Sequence, residues 1–285
     1  MLDLVPQLLA RVRLRCPASD DPEIQRLLME LERDGVAIMQ NSAPSELITA
    51  ALQDMDRLVE RMPQLQGTVH TKRASTGGRI EYPVHEYQRD LNIFRSHDPL
   101  VFSSAYAHFL LLPALLEVVE GYLGKNWFYQ AMIATRTEPS EPTRKGFAQW
   151  HHDARGRKLN IFLLLTDVPA DGPATIIVKG SHRLVYARDR QLRNFFDDDE
   201  VAVLQRKHKL GSEYVCHGSA GSLVFFDANS LHLGRRTCHR RDAFQVNCMT
   251  KRDHLWPHTI PQSLLSSLDP AQRSLLLKRA DLRPI

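Results

Sequence analysis

Apolar residues in the first third of the chain recur every three or four positions, the spacing of one buried helical face. The run consists of Leu47, Ile48, Ala51, Leu52, Met55, Leu58, Val59 and Met62. Ser42 and Pro44 stand just before it and mark where the helix begins. A short strand is predicted at 34–40, and a second helical stretch runs from Asp98 to about Gly121 with a break at Pro113.

Three further segments are predicted from other signals. Residues 66–83 are polar and contain glycine, which predicts a long loop. In the first sixteen residues the basic side chains follow the apolar stretch, the reverse of a secretory signal, so an amphipathic helix is expected there. Near the end of the chain, Asp269, Pro270 and Gln272 resemble a capping box and predict a closing helix at about 269–280.

From about residue 126 the pattern changes to short runs rich in β-branched and aromatic residues, bounded by Gly, Pro, Asp and Asn. These predicted strands are residues 128–135, 147–153, 159–167, 174–180, 213–217, 222–227 and 243–250. Many short strands with few helices between them predict a mainly β fold with flanking helices, a sandwich or a jelly roll. We expect a single domain over 1–285, with a mostly helical part to about 125 and the β core at about 126–250.

Composition restricts the function classes. With 43% hydrophobic and 25% charged residues, and no apolar run near the roughly 18 residues that span a bilayer, neither a membrane protein nor a disordered chain is expected. The net charge of +4 comes from bases interleaved with acids, so nothing points to a nucleic-acid partner. The four cysteines form no CxxC pair, which favours a reducing, cytoplasmic location.

The stretch WHHD at 150–153 contains the first candidate chemistry. If 147–153 is a strand, His151 and Asp153 lie on one face while His152 points to the other, so the outer pair can bind one ion together. With 13 histidines, about one H-x-D arises by chance, and the pattern alone is weak. On a helix, the adjacent pair His152 and Asp153 would instead indicate an HD-type phosphohydrolase.

Downstream residues strengthen the metal hypothesis. The predicted strand 222–227 leads to His232, and nine residues later Arg241 opens the last strand of the core. Two imidazoles and a carboxylate on one face of a jelly roll form a facial triad that leaves iron positions open for oxygen and a bidentate 2-oxo acid. An arginine some distance away suits the far carboxylate of such an acid, because its planar fork binds carboxylates bidentately.

In this order of motifs the chain resembles a known family. H-x-D, DGPATIIVKGSH (171–182), GSLVFFDANSLH (221–232) and an arginine before a strand are similar to the phytanoyl-CoA dioxygenase family of Fe(II) and 2-oxoglutarate dependent oxygenases. The likeness extends to ERDGVAIMQNSAPSELI (32–48) and covers roughly residues 20–250. The resemblance implies a double-stranded β-helix, that is, a cupin-like jelly roll.

The resemblance also implies roles for single residues. His151, Asp153 and His232 would hold Fe(II), and Arg241 would hold the distal carboxylate of 2-oxoglutarate. Gln130 would reach the keto or carboxylate group of that co-substrate, although an ordinary strand amide is an equally good interpretation.

The chain departs from the family pattern at three places. The turn commonly written PGSH is Lys179-Gly-Ser-His182, and Gly234 stands where a hydroxyl often assists the co-substrate. Arg240 and Arg241 are adjacent, and Arg241 is preferred because the family's arginine lies two positions before a small residue, here Ala243.

Other polar residues have simpler interpretations. His182 is expected to bond to backbone in its turn, and His239 and Cys238 would matter only if the H-x-D hypothesis failed. Asn160 and Leu163 are candidates for lining the co-substrate pocket, but core packing is favoured for both. A basic cluster has two interpretations: recognition of an anionic substrate near the site entrance, or an ordinary solvated charged loop. That cluster is Arg155, Arg157, Lys158, Arg235 and Arg236.

The function that follows is an Fe(II)/2-oxoglutarate dioxygenase that uses O2 on a small molecule and releases CO2 and succinate. Hydroxylation of a C–H bond is the expected outcome, with desaturation, epoxidation or ring chemistry as alternatives. Asp153 argues against a halogenating relative, because a halide needs the coordination position that the carboxylate occupies. A catalytically silent binding protein on the same fold is the alternative, and the sequence names neither the substrate nor the oligomeric state.

Overall fold

A computed structural model describes residues 19–65, 69–73, 79–143, 145–153, 157–185, 195–252 and 255–285. The predicted first helix, Cys16 and Arg155 lie outside these residues. Within them the helices are α1 (Pro22–Asp34), α2 (Ser45–Leu65), α3 (Ser104–Leu110), α4 (Pro113–Leu123), α5 (Asp198–His208), α6 (Gln262–Ser267) and α7 (Pro270–Arg279).

The strands follow the predicted β core and also occur outside it. They are β1 (Val36–Met39), β2 (Val69–Arg73), β3 (Arg79–Pro83), β4 (His85–Gln88), β5 (Ile93–Ser96), β6 (Phe128–Thr137), β7 (Trp150–His151), β8 (Lys158–Leu164), β9 (Thr175–Val178), β10 (Phe195–Phe196), β11 (Glu213–Cys216), β12 (Leu223–Asp227), β13 (His232–Gly234), β14 (Arg241–Met249), β15 (Pro257–Ile260) and β16 (Asp281–Pro284).

Two antiparallel sheets face each other. The larger has the order β1-β12-β8-β14-β6-β5-β4 and the smaller the order β10-β7-β13-β9-β11. Val224 and Phe226 on the larger sheet share a buried cluster with Ile177 on the smaller, so this apolar layer lies between the sheets. The arrangement is the predicted jelly roll. Further along, the facing surfaces are lined by polar residues, and the candidate site lies there.

Strand residues alternate between the two sides of a sheet, and the helices cover the apolar residues that point outward. Ile161, Phe225 and Phe244 point away from the smaller sheet and pack in the largest buried cluster, which includes residues of α1, α2, α3 and α4. On the other side, Val201 and Leu204 of α5 pack with outward residues of the smaller sheet. The outer face of each sheet is therefore buried under helices. The polar side chains of the candidate site lie on the inner faces, beside the apolar layer between the sheets.

The helix ends follow their sequence signals. Asp21 caps α1 and Gly35, with φ of 78°, ends it in the left-handed conformation. The predicted capping box at Asp269 is present, since its side chain accepts from the Gln272 amide. Among the described residues no single helix is long and apolar enough to cross a bilayer; α3 and α4 reach that composition only as a pair bent by 48°.

Several predicted bounds differ from the structure. The predicted loop at 66–83 contains the paired strands β2 and β3, so the loop prediction was wrong over their residues. The strand predicted at 147–153 is reduced to Trp150–His151, because a 3-10 turn occupies Gly146–Ala148 and the chain leaves the sheet after His151. The first 125 residues, expected to be mostly helical, also supply β1, β4 and β5 to the larger sheet.

Candidate active site

Three predicted ligands converge between the sheets. His151 on β7 and His232 at the start of β13 are directly opposite each other in the antiparallel register. Asp153 lies two residues beyond His151, and ligand atoms of all three residues lie within 4.8 Å of one another. The ring of His152 lies instead near Phe196, a member of the outer cluster, at 6.1 Å between centroids. The face expected from strand alternation is thus retained although the strand ends before Asp153.

Both imidazoles are oriented by the same local contact. Nδ1 of His151 donates to the Gln149 carbonyl at 2.8 Å, and Nδ1 of His232 donates to the Ser230 carbonyl at 2.9 Å. A carbonyl only accepts, so these bonds place the proton on Nδ1 and leave the lone pair on Nε2. The two Nε2 atoms lie 3.6 and 3.5 Å from the Asp153 carboxylate oxygens.

The carboxylate has its own support. The Asp153 amide donates to the Ala228 carbonyl at 2.9 Å, and the Asn160 side-chain amide donates to Asp153 Oδ2 at 2.6 Å. Burial opposes ionisation of Asp153, but His232 and then Lys158 lower its pKa well below the usual range. Its side chain retains 24% exposure, so the carboxylate stands at the open side of the site.

This donor set fits a divalent transition metal. Two neutral imidazole nitrogens and one carboxylate, with the remaining side open, correspond to the facial triad of non-haem iron oxygenases. Burial, followed by the nearby His232, lowers the pKa of His151 to about 4 against the opposing effect of Asp153. The imidazole therefore stays neutral at physiological pH, the form that a metal requires.

The turn before His232 is held by the neighbouring KGSH turn. The Asn229 side-chain amide donates to the His182 carbonyl at 2.6 Å, and Ser181 Oγ accepts from the Leu231 amide at 2.9 Å. His182 itself contacts the Glu32 carbonyl through Nε2 at 3.3 Å, which is the backbone role predicted for it. The KGSH turn thus positions His232 without supplying a ligand.

Arg240 and Arg241 have different surroundings. Arg240 is 41% exposed and pairs with Asp242 at 2.9 Å. Arg241 faces the space between the sheets, where its Nη1 donates to Thr175 Oγ1 at 3.4 Å. In the described chain its Nε has no hydrogen-bond partner and no carboxylate pairs with it. Burial, with the nearby Arg95, lowers the Arg241 pKa to about 10 against the effect of Cys216, so the group stays cationic at neutral pH.

Thr175 is a site residue that the sequence did not reveal. It lies directly opposite Gly234 in the β9–β13 register and is 4% exposed. Its hydroxyl is therefore across the ladder from the glycine that replaces the family's hydroxyl residue. Which strands pair is a long-range property, so a hydroxyl placed opposite Gly234 by the β9–β13 register has no signal in the local sequence.

Gln130 lies at a bulge in β6. The register with β14 shifts between Asn247 and Cys248, so Gln130 has no opposite residue. Tyr129 and Met132 on either side belong to the outer core, which leaves Gln130 and Ala131 between them. The Gln130 Oε1 is buried and, among described residues, without a hydrogen-bond partner. The geometry is compatible with a co-substrate contact and does not identify one.

The predicted basic cluster is only partly at the site. Arg157 stacks on Tyr122 and pairs with Glu32 at 3.7 Å, while Arg235 donates to the Gly172 and Ala170 carbonyls. Neither is free to form an entrance patch. Arg236, in contrast, is buried beside Thr137 in the same space as Arg241.

Asn160 and Leu163 have different surroundings. Asn160 holds the Asp153 carboxylate, so the packing role favoured for it was wrong, whereas Leu163 packs in the outer core. The phosphohydrolase alternative required a helix around His152, and residues 145–153 form a 3-10 turn and a short strand instead.

A jelly roll with two imidazoles and a carboxylate gathered at one open position defines the class of non-haem iron oxygenases. The family model of the phytanoyl-CoA dioxygenases matches residues 31–243, so the chain belongs to the phytanoyl-CoA dioxygenase family of Fe(II)/2-oxoglutarate dependent oxygenases.

Individual relatives are more distant. The ectoine dioxygenase of Bordetella bronchiseptica is 24% identical over 224 residues, which cover 70% of this chain and 66% of that enzyme. The ectoine dioxygenase of Stutzerimonas stutzeri is 22% identical over 239 residues, covering 76% and 73%. The chain thus matches about two thirds of the length of these curated relatives.

Solved structures show the same fold. The non-haem alpha-ketoglutarate dependent epimerase SnoN from nogalamycin biosynthesis superposes with a TM-score of 0.57 at 19% identity, over 80% of this chain and 84% of that one. The carbocyclase SnoK from the same biosynthesis gives 0.54 at 16% identity, over 82% and 84%. At these identities the likeness concerns the fold alone.

Proposed function

We propose that this protein is an Fe(II)/2-oxoglutarate dioxygenase that hydroxylates a C–H bond of a small molecule. The observation that carries the proposal is the convergence of His151, Asp153 and His232, with both imidazole Nδ1 atoms held by backbone carbonyls and both Nε2 atoms directed at one carboxylate. A silent binding protein would not need this orientation of all three side chains.

The residues around the triad prepare it for a metal and a co-substrate. His151, Asp153 and His232 would hold Fe(II), with Asn160 fixing the carboxylate. Arg241 would bind the distal carboxylate of 2-oxoglutarate, helped by the Thr175 hydroxyl. When bound, the metal and co-substrate supply an oxidation in which R–H, O2 and 2-oxoglutarate give R–OH, succinate and CO2.

The reaction outcome is the finer part of the proposal. Hydroxylation is favoured by the likeness to ectoine dioxygenases, while two structural relatives are described as an epimerase and a carbocyclase. Ectoine is therefore the first compound to test, within a wider screen of metabolites for stimulated succinate release. A hydroxylated product gains the mass of one oxygen atom, which distinguishes it from an epimer or a cyclised product.

The triad itself is tested by paired variants. Asp153→Ala should abolish 2-oxoglutarate turnover and weaken metal binding, because it removes the only carboxylate among the three ligands. His152→Gln is the matched control, since the neighbouring ring lies near Phe196 on the other face, and it should keep the metal. Full turnover in Asp153→Ala, or loss of metal in His152→Gln with retention in His151→Gln, would contradict the assignment.

A further inference from the structure

The space between the sheets holds more arginine than one co-substrate requires. Arg95 on β5 is directly opposite Thr135 of β6, and Arg241 is opposite Thr137 two residues further along. Strand alternation therefore directs both arginines to the same face. Arg236, just after β13, reaches this face from the smaller sheet and donates to Thr137 Oγ1 at 3.4 Å.

Arg236 has no anionic partner in the described chain. It is 4% exposed, its Nε has no hydrogen-bond partner, and no described carboxylate pairs with it. Burial first, then the charges of Arg241 and Arg95, lower its pKa to about 9. A buried guanidinium beside two others destabilises a fold unless an anion pairs with it. The position of Arg236 therefore indicates an anionic ligand.

The space between the sheets, here called the chamber, contains more cations than carboxylates. Its cations are Arg95, Lys158, Arg236 and Arg241, and the described carboxylates among them are Glu86 and Asp153. Fe(II) adds two positive charges and 2-oxoglutarate two negative ones, so loading the site does not change this excess of cations. Arg241 alone suffices for the single distal carboxylate of the co-substrate, which leaves Arg236 unmatched.

The site entrance adds an apolar element. Phe147 and Phe195 are 40% and 42% exposed, and their rings lie 5.5 and 5.7 Å from that of His151. The Arg95 guanidinium lies over the Phe147 ring at 4.6 Å, and its ion pair with Glu86 is long, at 3.5 Å. Two exposed phenyl rings beside the metal ligands favour a substrate with an apolar body.

We propose that Arg236 is the anion-binding residue for the primary substrate, which carries a carboxylate or phosphate on an apolar body that contacts Phe147 and Phe195. Arg95, whose guanidinium lies over the Phe147 ring, adds positive charge beside these two rings. This inference rests on the proposed dioxygenase function, because it assigns Arg241 and the open metal positions to 2-oxoglutarate.

The test measures binding without turnover. Protein loaded with Mn(II) and saturating 2-oxoglutarate under anaerobic conditions is titrated by calorimetry with benzoate, phenyl phosphate and the neutral benzamide. One or both anions should bind more tightly than benzamide. Arg236→Gln should weaken that anion by at least about tenfold and leave 2-oxoglutarate affinity within about threefold, as expected for loss of one charge-assisted contact.

Arg235→Gln is the matched control, because the neighbouring arginine bonds only to backbone carbonyls in the described chain. It should leave the affinities of both benzoate and phenyl phosphate unchanged. A second readout separates binding from a structural role: Arg236→Met should raise the melting temperature of the metal-free protein at low salt, since it removes a buried charge that pairs with no described carboxylate. A lowered melting temperature with unchanged anion binding would make Arg236 structural and overturn the proposal.

Three other outcomes distinguish this inference from the proposed function. If Arg236→Gln weakens 2-oxoglutarate as much as Arg241→Gln does, Arg236 belongs to the co-substrate site and the proposal is wrong. If Mn(II) and 2-oxoglutarate bind but neither anion binds better than benzamide, only this inference fails. If wild-type protein binds no 2-oxoglutarate at all, the proposed dioxygenase function itself fails first.

Discussion

Replacing Arg241 by alanine removes the side chain that we assign to the distal carboxylate of 2-oxoglutarate. Within the described chain its Nε has no partner, and its Nη1 makes one long contact, 3.4 Å, with Thr175 Oγ1. Arg240 instead is 41% exposed and already engaged with Asp242 at 2.9 Å and Asp56 at 4.0 Å. The adjacent arginines therefore offer a matched pair, one with free donors inside the chamber and one without.

The expected size follows from the contact. A hydrogen bond to a charged group contributes about 1.5–3 kcal/mol, which corresponds to about 10- to 150-fold in the dissociation constant. Arg241→Ala should weaken 2-oxoglutarate by that factor, and Arg241→Lys by less, because an ammonium keeps the charge but not the bidentate fork. Metal affinity should be nearly unchanged, since Arg241 is not among the three residues that converge on the metal position.

Anaerobic calorimetry on Mn(II)-loaded protein gives the 2-oxoglutarate affinity, and a separate Mn(II) titration gives the metal affinity. Arg240→Ala should change both by less than about threefold. Loss of co-substrate binding in Arg240→Ala, with retention in Arg241→Ala, would refute the argument from burial and free donors.

Three other results are expected. Asn160→Leu should weaken metal binding about 10- to 100-fold in a Mn(II) titration, because it removes the amide that holds Asp153, and an unchanged affinity would contradict that role. Thr175→Val should weaken 2-oxoglutarate about 2- to 10-fold with metal binding intact, the size of one neutral hydrogen bond, whereas no change would remove Thr175 from the co-substrate site. The folded pKa of His151 is about 4 against 6.5 unfolded, so the unfolded chain binds more protons between these values and the metal-free protein loses stability as pH falls through that window. His151→Gln lacks this loss, so its stability relative to wild type should improve by about 2 kcal/mol between pH 7.5 and pH 5, measured by denaturant titration; a constant difference would contradict the shift.

The sequence predicted strands well where both faces are apolar or where apolar and small residues alternate. Most residues of β8 and β12 pack in the outer core or in the apolar layer between the sheets, and their runs of β-branched and aromatic residues mark both strands clearly. β4 and β5 were missed because their inward positions line a polar chamber. Glu86 and Arg95 pair there, so the apolar alternation that identifies a half-buried strand is absent.

The convergence of His151, Asp153 and His232 was predictable because the H-x-D spacing is local and the family order of motifs is distinctive. The surrounding residues were not. Arg95 enters the site only through the pairing of β5 with β6, and Thr175 only through the pairing of β9 with β13. A linear sequence does not state which strands are neighbours, so residues that act across a ladder stay hidden until the register is known.

The register of β14 itself is fixed by charges on the far side of the sheet. Asp242 is fully buried, and its carboxylate bonds to Arg136 of β6 at 2.7 Å and to Arg240 at 2.9 Å. A slip of one residue would carry Asp242 into the chamber, where it would neutralise the neighbouring cations, and would move Arg241 out. Breaking a buried ion pair costs about 3–5 kcal/mol, so such a slip is strongly disfavoured. Arg240 and Arg241 thus act on opposite faces. Arg240 helps to neutralise the carboxylate that fixes the strand, and the strand so fixed presents Arg241 to the space between the sheets, where its Nε has no hydrogen-bond partner among the described residues.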